Sequence, residues 1–208
     1  MSGEPLPLDF YARDTANVAR DLLGCVVESY VGGHRAGGRI VEVEAYVGAE
    51  DPADHGYGNK RTARNEVLFG SPGVSYVYFV YGMHWCFNAV TERAGCPTAV
   101  LIRALEPVFG IEAMQARRGV DSMKSLCSGP ARLCQSLGIT GSLNGSSLVT
   151  GPVRILPPPV RKPLPVVAGP RIGVSRAETW PLRFMQQGSP WLSRSERPGT
   201  GSDKKGRG

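Results

Sequence analysis

The sequence predicts a mixed α/β fold of the α+β kind. It is one compact domain whose mainly antiparallel, curved β-sheet is flanked by helices and carries a protruding β-hairpin. Three observations predict it. Residues 38–46 (GRIVEVEAY) alternate side-chain character with a period of two, the signature of a half-buried strand. Residues 74–81 and 85–91 are aromatic and β-branched and are separated by Gly82-Met83-His84, a hairpin signal. Gly 27 plus Pro 17 in 208 residues implies many turns between short elements.

Taken in order, Asp14-Thr15 caps a short helix with apolar positions Val18, Leu22 and Leu23, stopped by Gly24. Cys25–Tyr30 reads as a strand followed by a Gly-Gly turn. In the alternating strand, Val41, Val43 and Ala45 are expected on one face and Ile40, Glu42, Glu44 and Tyr46 on the other. Residues 48–66 have no period, and a loop of that length in a compact domain is usually functional. Thr98–Leu105 is another strand, and Pro107–Arg118 suits a helix with proline in its first turn. Leu126–Leu137 is helical on either side of Gly129-Pro130. The Pro-rich stretch within 151–176 reads as a solvent-exposed connection between short strands. Residues 1–193 form the domain, and 194–208, rich in Ser, Gly, Lys and Arg, form a basic, disordered tail.

Composition narrows the function. The net charge is +6, yet residues 1–150 carry 13 basic and 15 acidic side chains, so the excess lies in the C-terminal quarter. Residues 151–176 hold Arg154, Arg161, Lys162, Arg171 and Arg176 and no acid. A one-sided cationic surface suits a polyanion. No run approaches the roughly 20 apolar residues of a membrane span, and no secretory leader is visible. Five cysteines without a CxxC pair read as reduced thiols rather than a zinc site. The expected location is the cytoplasm of a bacterium or the nucleus of a eukaryote.

Window 46–87 holds nine of the chain's sixteen aromatic residues and two of its three histidines. Such rings are usually core, but Tyr46, Tyr76, Tyr78 and Tyr81 carry phenols that need partners when buried. A slot of flat rings with polar edges is what holds a nucleobase. Glu44, two residues from Tyr46, could act as general base toward a water molecule. Glu42 and Glu44, about 6–7 Å apart by strand geometry, would suit glycoside chemistry. Glu50, Asp51, Asp54 and His55 with Glu44 would instead suit a metal-dependent nuclease. A non-catalytic nucleic-acid-binding module using the same aromatic face is the third reading.

Several long blocks, in order, resemble the alkyladenine (3-methyladenine) DNA glycosylase family of base-excision repair. They are GRIVEVEAYVGAEDPADHG (38–56), TARNEVLFGSPGVSYVYFVYGMHWCFNAV (62–90), AVLIRALEP (99–107), SGPARLCQSLGI (128–139) and LRFMQQGSPWLS (182–193). The resemblance covers nearly all of 8–193 and weakens in 140–170. It implies a monomeric, monofunctional glycosylase without metal or other cofactor. Its partner would be double-stranded DNA containing damaged purines, and its chemistry hydrolysis of the N-glycosidic bond after the nucleotide is flipped out. The resemblance implies Glu44 as the base that activates water and Tyr46, His55 and Tyr78 as the sandwich around the flipped base. It implies Asn88 as the residue that screens bases, Tyr81 as the wedge in the minor groove, and Arg103, Thr62 and Arg64 as support for the site and the DNA backbone.

The hairpin register constrains that assignment. A two-residue loop, Gly82-Met83, would set Asn88 opposite Val77 and turn it away from Tyr78. A three-residue loop, Gly82-Met83-His84, would pair Tyr81 with Trp85 and set Asn88 opposite Tyr78. A shared pocket for Asn88 and Tyr78 therefore requires the longer loop or a bulge.

Overall fold

Strand β2 (Ala36–Tyr46) is the axis of the molecule, because three other strands pair with it. The computed structural model describes residues 3–160 and 163–194. The other strands are β1 (Val26–Ser29), β3 (Ser75–Val80), β4 (His84–Val90), β5 (Ala99–Phe109), β6 (Val153–Leu156), β7 (Val166–Gly169) and β8 (Arg183–Gln186). They form one eight-stranded sheet in the order β3-β4-β5-β2-β1-β6, with β8 pairing both β2 and β7. Every pairing is antiparallel. Among the described residues there are five short α-helices: α1 (Leu8–Tyr11), α2 (Thr15–Leu22), α3 (Ile111–Arg118), α4 (Met123–Leu126) and α5 (Pro130–Leu137). Helix α2 packs on β2 and β5, and α5 packs on β4 and β5, so the main core lies between helices and sheet.

The helix starts follow local chemistry. Asp14 caps α2, its carboxylate accepting the Asn17 N–H at 2.9 Å. Helix α5 begins with Pro130, whose missing N–H is no loss in a first turn. The helix expected from Pro107 starts only at Ile111, because β5 runs on through Phe109 and Gly110 then turns the chain at φ 70°. What holds Pro107 extended is tertiary: it pairs with Gly38, Glu106 is bonded to Arg39, and Phe109 lies over Gly37.

The alternation of β2 is broken once. The β2–β5 register runs Ile40–Leu105, then Glu42–Ala104, then Val43–Ile102, so Val41 and Arg103 fall outside the paired residues. Ile40 therefore joins Val43 and Ala45 in the main core, while Val41 packs in a small separate cluster with Ala104, Met185 and Leu192. This corrects the expected grouping of Val41 with Val43 and of Ile40 with Glu42. An irregularity that skips a residue in each strand exchanges the faces on either side of it.

The hairpin register is also corrected. Val80 pairs with His84, Tyr78 with Cys86 and Tyr76 with Asn88, so the loop is Tyr81-Gly82-Met83. Asn88 lies opposite Tyr76 rather than Tyr78. It still shares the face of Tyr78, because shifting the three-residue loop back by one residue preserves the parity of the longer loop. Tyr81 adopts a positive φ of 54° at the tip. The loop 48–69 is built of 3₁₀ turns at Gly48–Glu50, Tyr57–Asn59 and Glu66–Phe69.

A Cβ added at Gly37 would lie 2.5 Å from the Val27 carbonyl oxygen and 2.4 Å from the Phe109 ring. Gly37→Ala is expected to lower stability by about 1–3 kcal/mol. Thermal unfolding checks it; a midpoint equal to the parent's would mean that Phe109 and the β1–β2 pairing yield without cost.

Candidate active site

A cleft of about 600 Å³ opens where the C-terminal end of β2, the β3–β4 hairpin and the 48–69 loop converge. Parity puts Tyr76, Tyr78, Cys86 and Asn88 on its wall. Arg103 and Leu101 of β5, Tyr46 of β2, Pro130 at the start of α5 and the segment 172–176 close it. The structure thus brings together Tyr46, His55, Arg64, Tyr78, Tyr81, Asn88 and Arg103 around one cavity.

Glu44 sits directly behind this wall and is fully buried. Its Oε2 accepts from Arg103 Nη1 at 3.1 Å and from the Tyr46 hydroxyl at 3.0 Å; its Oε1 accepts the Ile172 N–H at 2.7 Å. Burial pushes its carboxyl above the ordinary glutamate range, against the opposing pull of Arg103, Ile172 and Tyr46. Two carboxylate oxygens offer about four acceptor positions. Three are used, which leaves Oε1 able to take one more donor.

Glu42 is equally buried but saturated. It accepts from Arg103 Nε at 3.2 Å, Arg183 Nε at 2.7 Å, Ser193 N at 2.6 Å and Ser193 Oγ at 2.8 Å. The two glutamates therefore differ in kind. Glu42 ties the C-terminal segment to β2, β5 and β8, and Glu44 faces the cavity's lining residues. The remaining acids do not gather: Asp51 is paired with Arg171, and Asp54 accepts the N–H groups of Gly48 and Gly56. Among the described residues no group of three or more His, Cys, Asp or Glu side chains could hold a metal ion.

The aromatic wall is cross-braced. His55 Nδ1 lies 2.8 Å from the Tyr76 hydroxyl, and its ring meets Tyr78 edge-on at 4.6 Å. Packing against those rings, together with the nearby Arg64 charge, lowers the His55 pKa, which favours a neutral imidazole. Asn65 holds the loop beneath it by donating to the carbonyls of His55 and Lys60 at 2.7 and 2.8 Å. Asn88, buried, donates to the Tyr76 carbonyl at 2.9 Å, which fixes its amide toward the cleft floor. Tyr81 is 80% exposed at the hairpin tip beside the opening. Arg64 donates to the Phe79 carbonyl and reaches over Tyr78. Thr62 is exposed, and its backbone N–H and hydroxyl both donate to Asn65.

Sequence reasoning missed the far wall. The stretch expected to be a solvent-exposed basic connection sends Arg171 inward, where it is buried against Asp51, and presents the Ile172 N–H to Glu44. Only the run of arginines without acids marked it, and that pattern cannot distinguish a surface charge from a buried one. Of the expected basic tail, Arg194 lines the cleft with Arg176. Residues 195–208 lie outside those described, as do Arg161 and Lys162.

A buried carboxylate whose pKa is raised thus stands behind a slot of tyrosines rimmed by arginines. The family of methylpurine-DNA glycosylases matches residues 9–190. Curated relatives carrying the name "Putative 3-methyladenine DNA glycosylase" agree with this match. The one from Methanoculleus marisnigri is 50% identical over 196 residues, covering 91% of this chain and 98% of the relative. The one from Nitrosospira multiformis is 47% identical over 197 residues, covering 95% and 97%. The one from Rhodopseudomonas palustris strain HaA2 is 50% identical over 191 residues, covering 92% and 91%. The chain belongs to the methylpurine-DNA glycosylase family. It is a DNA glycosylase, an enzyme of DNA repair that acts on damaged DNA. No helix among the described residues is long and apolar enough to cross a membrane.

Among the described residues, removing the Glu42 carboxylate would leave Arg183 with only the Arg194 carbonyl and strip Arg103 of one partner. Glu42→Leu is expected to cost about 3–5 kcal/mol, the usual penalty for orphaning buried charge. Denaturant unfolding measures it, and a loss below 1 kcal/mol would show that the arginines find water.

Proposed function

We propose that the enzyme hydrolyses the N-glycosidic bond of alkylated or deaminated purines, the class of 3-methyladenine, 7-methylguanine, hypoxanthine and etheno-adenine, after the nucleotide is flipped out of the duplex. The observation that carries this reading is Glu44: a fully buried carboxylate with its pKa raised, bonded to Arg103, Tyr46 and Ile172, each of which lines the base-sized cleft. A base within a duplex must leave the stack before a buried group can work at its sugar. Tyr81 at the hairpin tip fills the vacated gap and offsets part of the few kcal/mol that extrusion costs. Tyr46, His55 and Tyr78 hold the base, with ring faces that favour electron-poor or cationic purines by roughly 0.5–2 kcal/mol per contact.

In the chemical step Glu44 accepts a proton from a water molecule. The water oxygen bonds to C1′, and the bonding pair of the broken C1′–N bond departs with the base. The Glu44 carboxylate orients the water and stabilises the oxocarbenium-like sugar, while Arg103 holds that carboxylate in place. No lysine lies in 38–59, so an amine nucleophile for strand-cleaving lyase chemistry is lacking there. Arg64, Arg176 and Arg194 at the rim supply the phosphate contacts, which add affinity rather than base discrimination.

Glu44→Gln is expected to reduce base release from a single-lesion duplex by two or more orders of magnitude while lesion binding persists. Near-parent turnover would remove Glu44 from its role, and direct strand scission without alkali would favour a nuclease. The sign of the Glu44 shift sets the pH dependence. A raised pKa means the base is lost as pH falls through that value, so the acid limb of the single-turnover rate is expected above the ordinary glutamate value of about 4.3. Asn88→Ser is expected to raise release of guanine-type bases relative to hypoxanthine, because the fixed amide crowds the 2-amino group that guanine has and hypoxanthine lacks. An unchanged ratio would take Asn88 out of selection. Tyr81→Ala is expected to slow excision more for a well-paired lesion than for an unpaired one, and equal losses would argue against the wedge.

A further inference from the structure

The far wall of the cleft rests on one side chain that the proposed chemistry does not use. Arg171 is 5% exposed as a residue, and its guanidinium is fully buried. Its Nη1 donates to the Ala45 carbonyl at 3.0 Å and to Asp51, and its Nη2 donates to the other Asp51 oxygen at 2.7 Å. The same guanidinium lies 4.7 Å from the centre of the Tyr46 ring. One residue further on, the Ile172 N–H reaches Glu44. Asp51 in turn accepts the N–H groups of Ala53 and Val47, so it anchors the first turn of the loop that carries His55.

We propose that Arg171 is a positioning residue of the base pocket, which fixes the plane of Tyr46, the entry of the His55 loop and the aim of the Ile172 N–H at Glu44 through a single bidentate clamp. The inference rests on the reading of Glu44 as the base. A planar fork can hold a carboxylate, a carbonyl and a stacked ring together, and an ammonium cannot reproduce all three contacts. The clamp is costly in isolation, since a buried ion pair seldom stabilises a fold by itself. Its benefit lies in the geometry it imposes, where a displacement of about 1 Å can cost a factor of 100 in rate.

Single-turnover base release by Arg171→Lys across pH tests the proposal. The rate is expected to fall about 10- to 100-fold. The acid limb is expected to move to higher pH, because Glu44 loses part of its Ile172 donor. The other groups facing Glu44 are unchanged by the substitution: Glu42 and Tyr46 on β2, Arg103 on β5 and Cys86 on β4. A role in stability alone would lower the unfolding temperature without moving that limb. Asp51→Asn leaves the guanidinium in place and is expected to shift the limb in the same direction by less, which supplies the readout if Arg171→Lys folds poorly. Arg171→Lys with the parent's rate and pH profile, beside an inactive Glu44→Gln, overturns this inference alone. Glu44→Gln at the parent's rate overturns both.

Discussion

The fold is organised around two carboxylates that have been taken out of water on one strand. Glu42 and Glu44 are both fully buried, and each would be costly without partners. Arg103 from β5 bonds both of them, Arg183 from β8 bonds Glu42, and Ser193 closes the remaining face of Glu42. This network explains why β2 needs a neighbour on either side and why the β2–β5 ladder slips at Arg103: the irregularity frees that side chain from the pairing and lets it bridge the two acids. The four charges are arranged so that Glu42 is saturated while Glu44 keeps one acceptor position open.

Rigidity around the cavity comes from a second set of polar bonds, made by loops rather than strands. Asn65 clamps the carbonyls of His55 and Lys60, Asp54 gathers the N–H groups of Gly48 and Gly56, and Asp51 answers Arg171. A segment without regular structure has few ladder bonds to hold it, so its backbone groups must be satisfied by side chains. The result is that His55, on a loop, stands against Tyr76 and Tyr78, on a strand, at hydrogen-bonding and ring-contact distances. A base entering such a slot would meet walls already in place, which lowers the ordering cost of recognition.

The hairpin is built differently. Its base is buried on the cavity side, while Tyr81 and Met83 at the tip are exposed at 80% and 68%. Apolar tip residues left in water on a rigid two-stranded support are disfavoured in isolation and suit a surface that meets a partner. The reach of the tip and the depth of the pocket are set by the same register, since a loop one residue shorter would carry Asn88 to the other side of the sheet.

Local signals in the sequence determined much of this. The Asp14 cap, Pro130 at the start of α5, the period of residues 43–46 and the aromatic hairpin all depend on contacts within a few residues, and they fold as the pattern indicates. The blocks from 38 to 107 carried the family and with it the gathering of Glu44, Tyr46, His55, Tyr78, Asn88 and Arg103. Three features were decided only by tertiary structure. The β2–β5 slip exchanged the faces of Ile40 and Val41, because a bulge is stabilised by what packs on each side and not by the residue that makes it. Pro107 stayed in a strand because Gly38 and Arg39 hold its segment extended. Arg171 turned inward because Asp51, 120 positions away, offered it a buried partner, and a sequence pattern records charge without recording which distant charge will meet it.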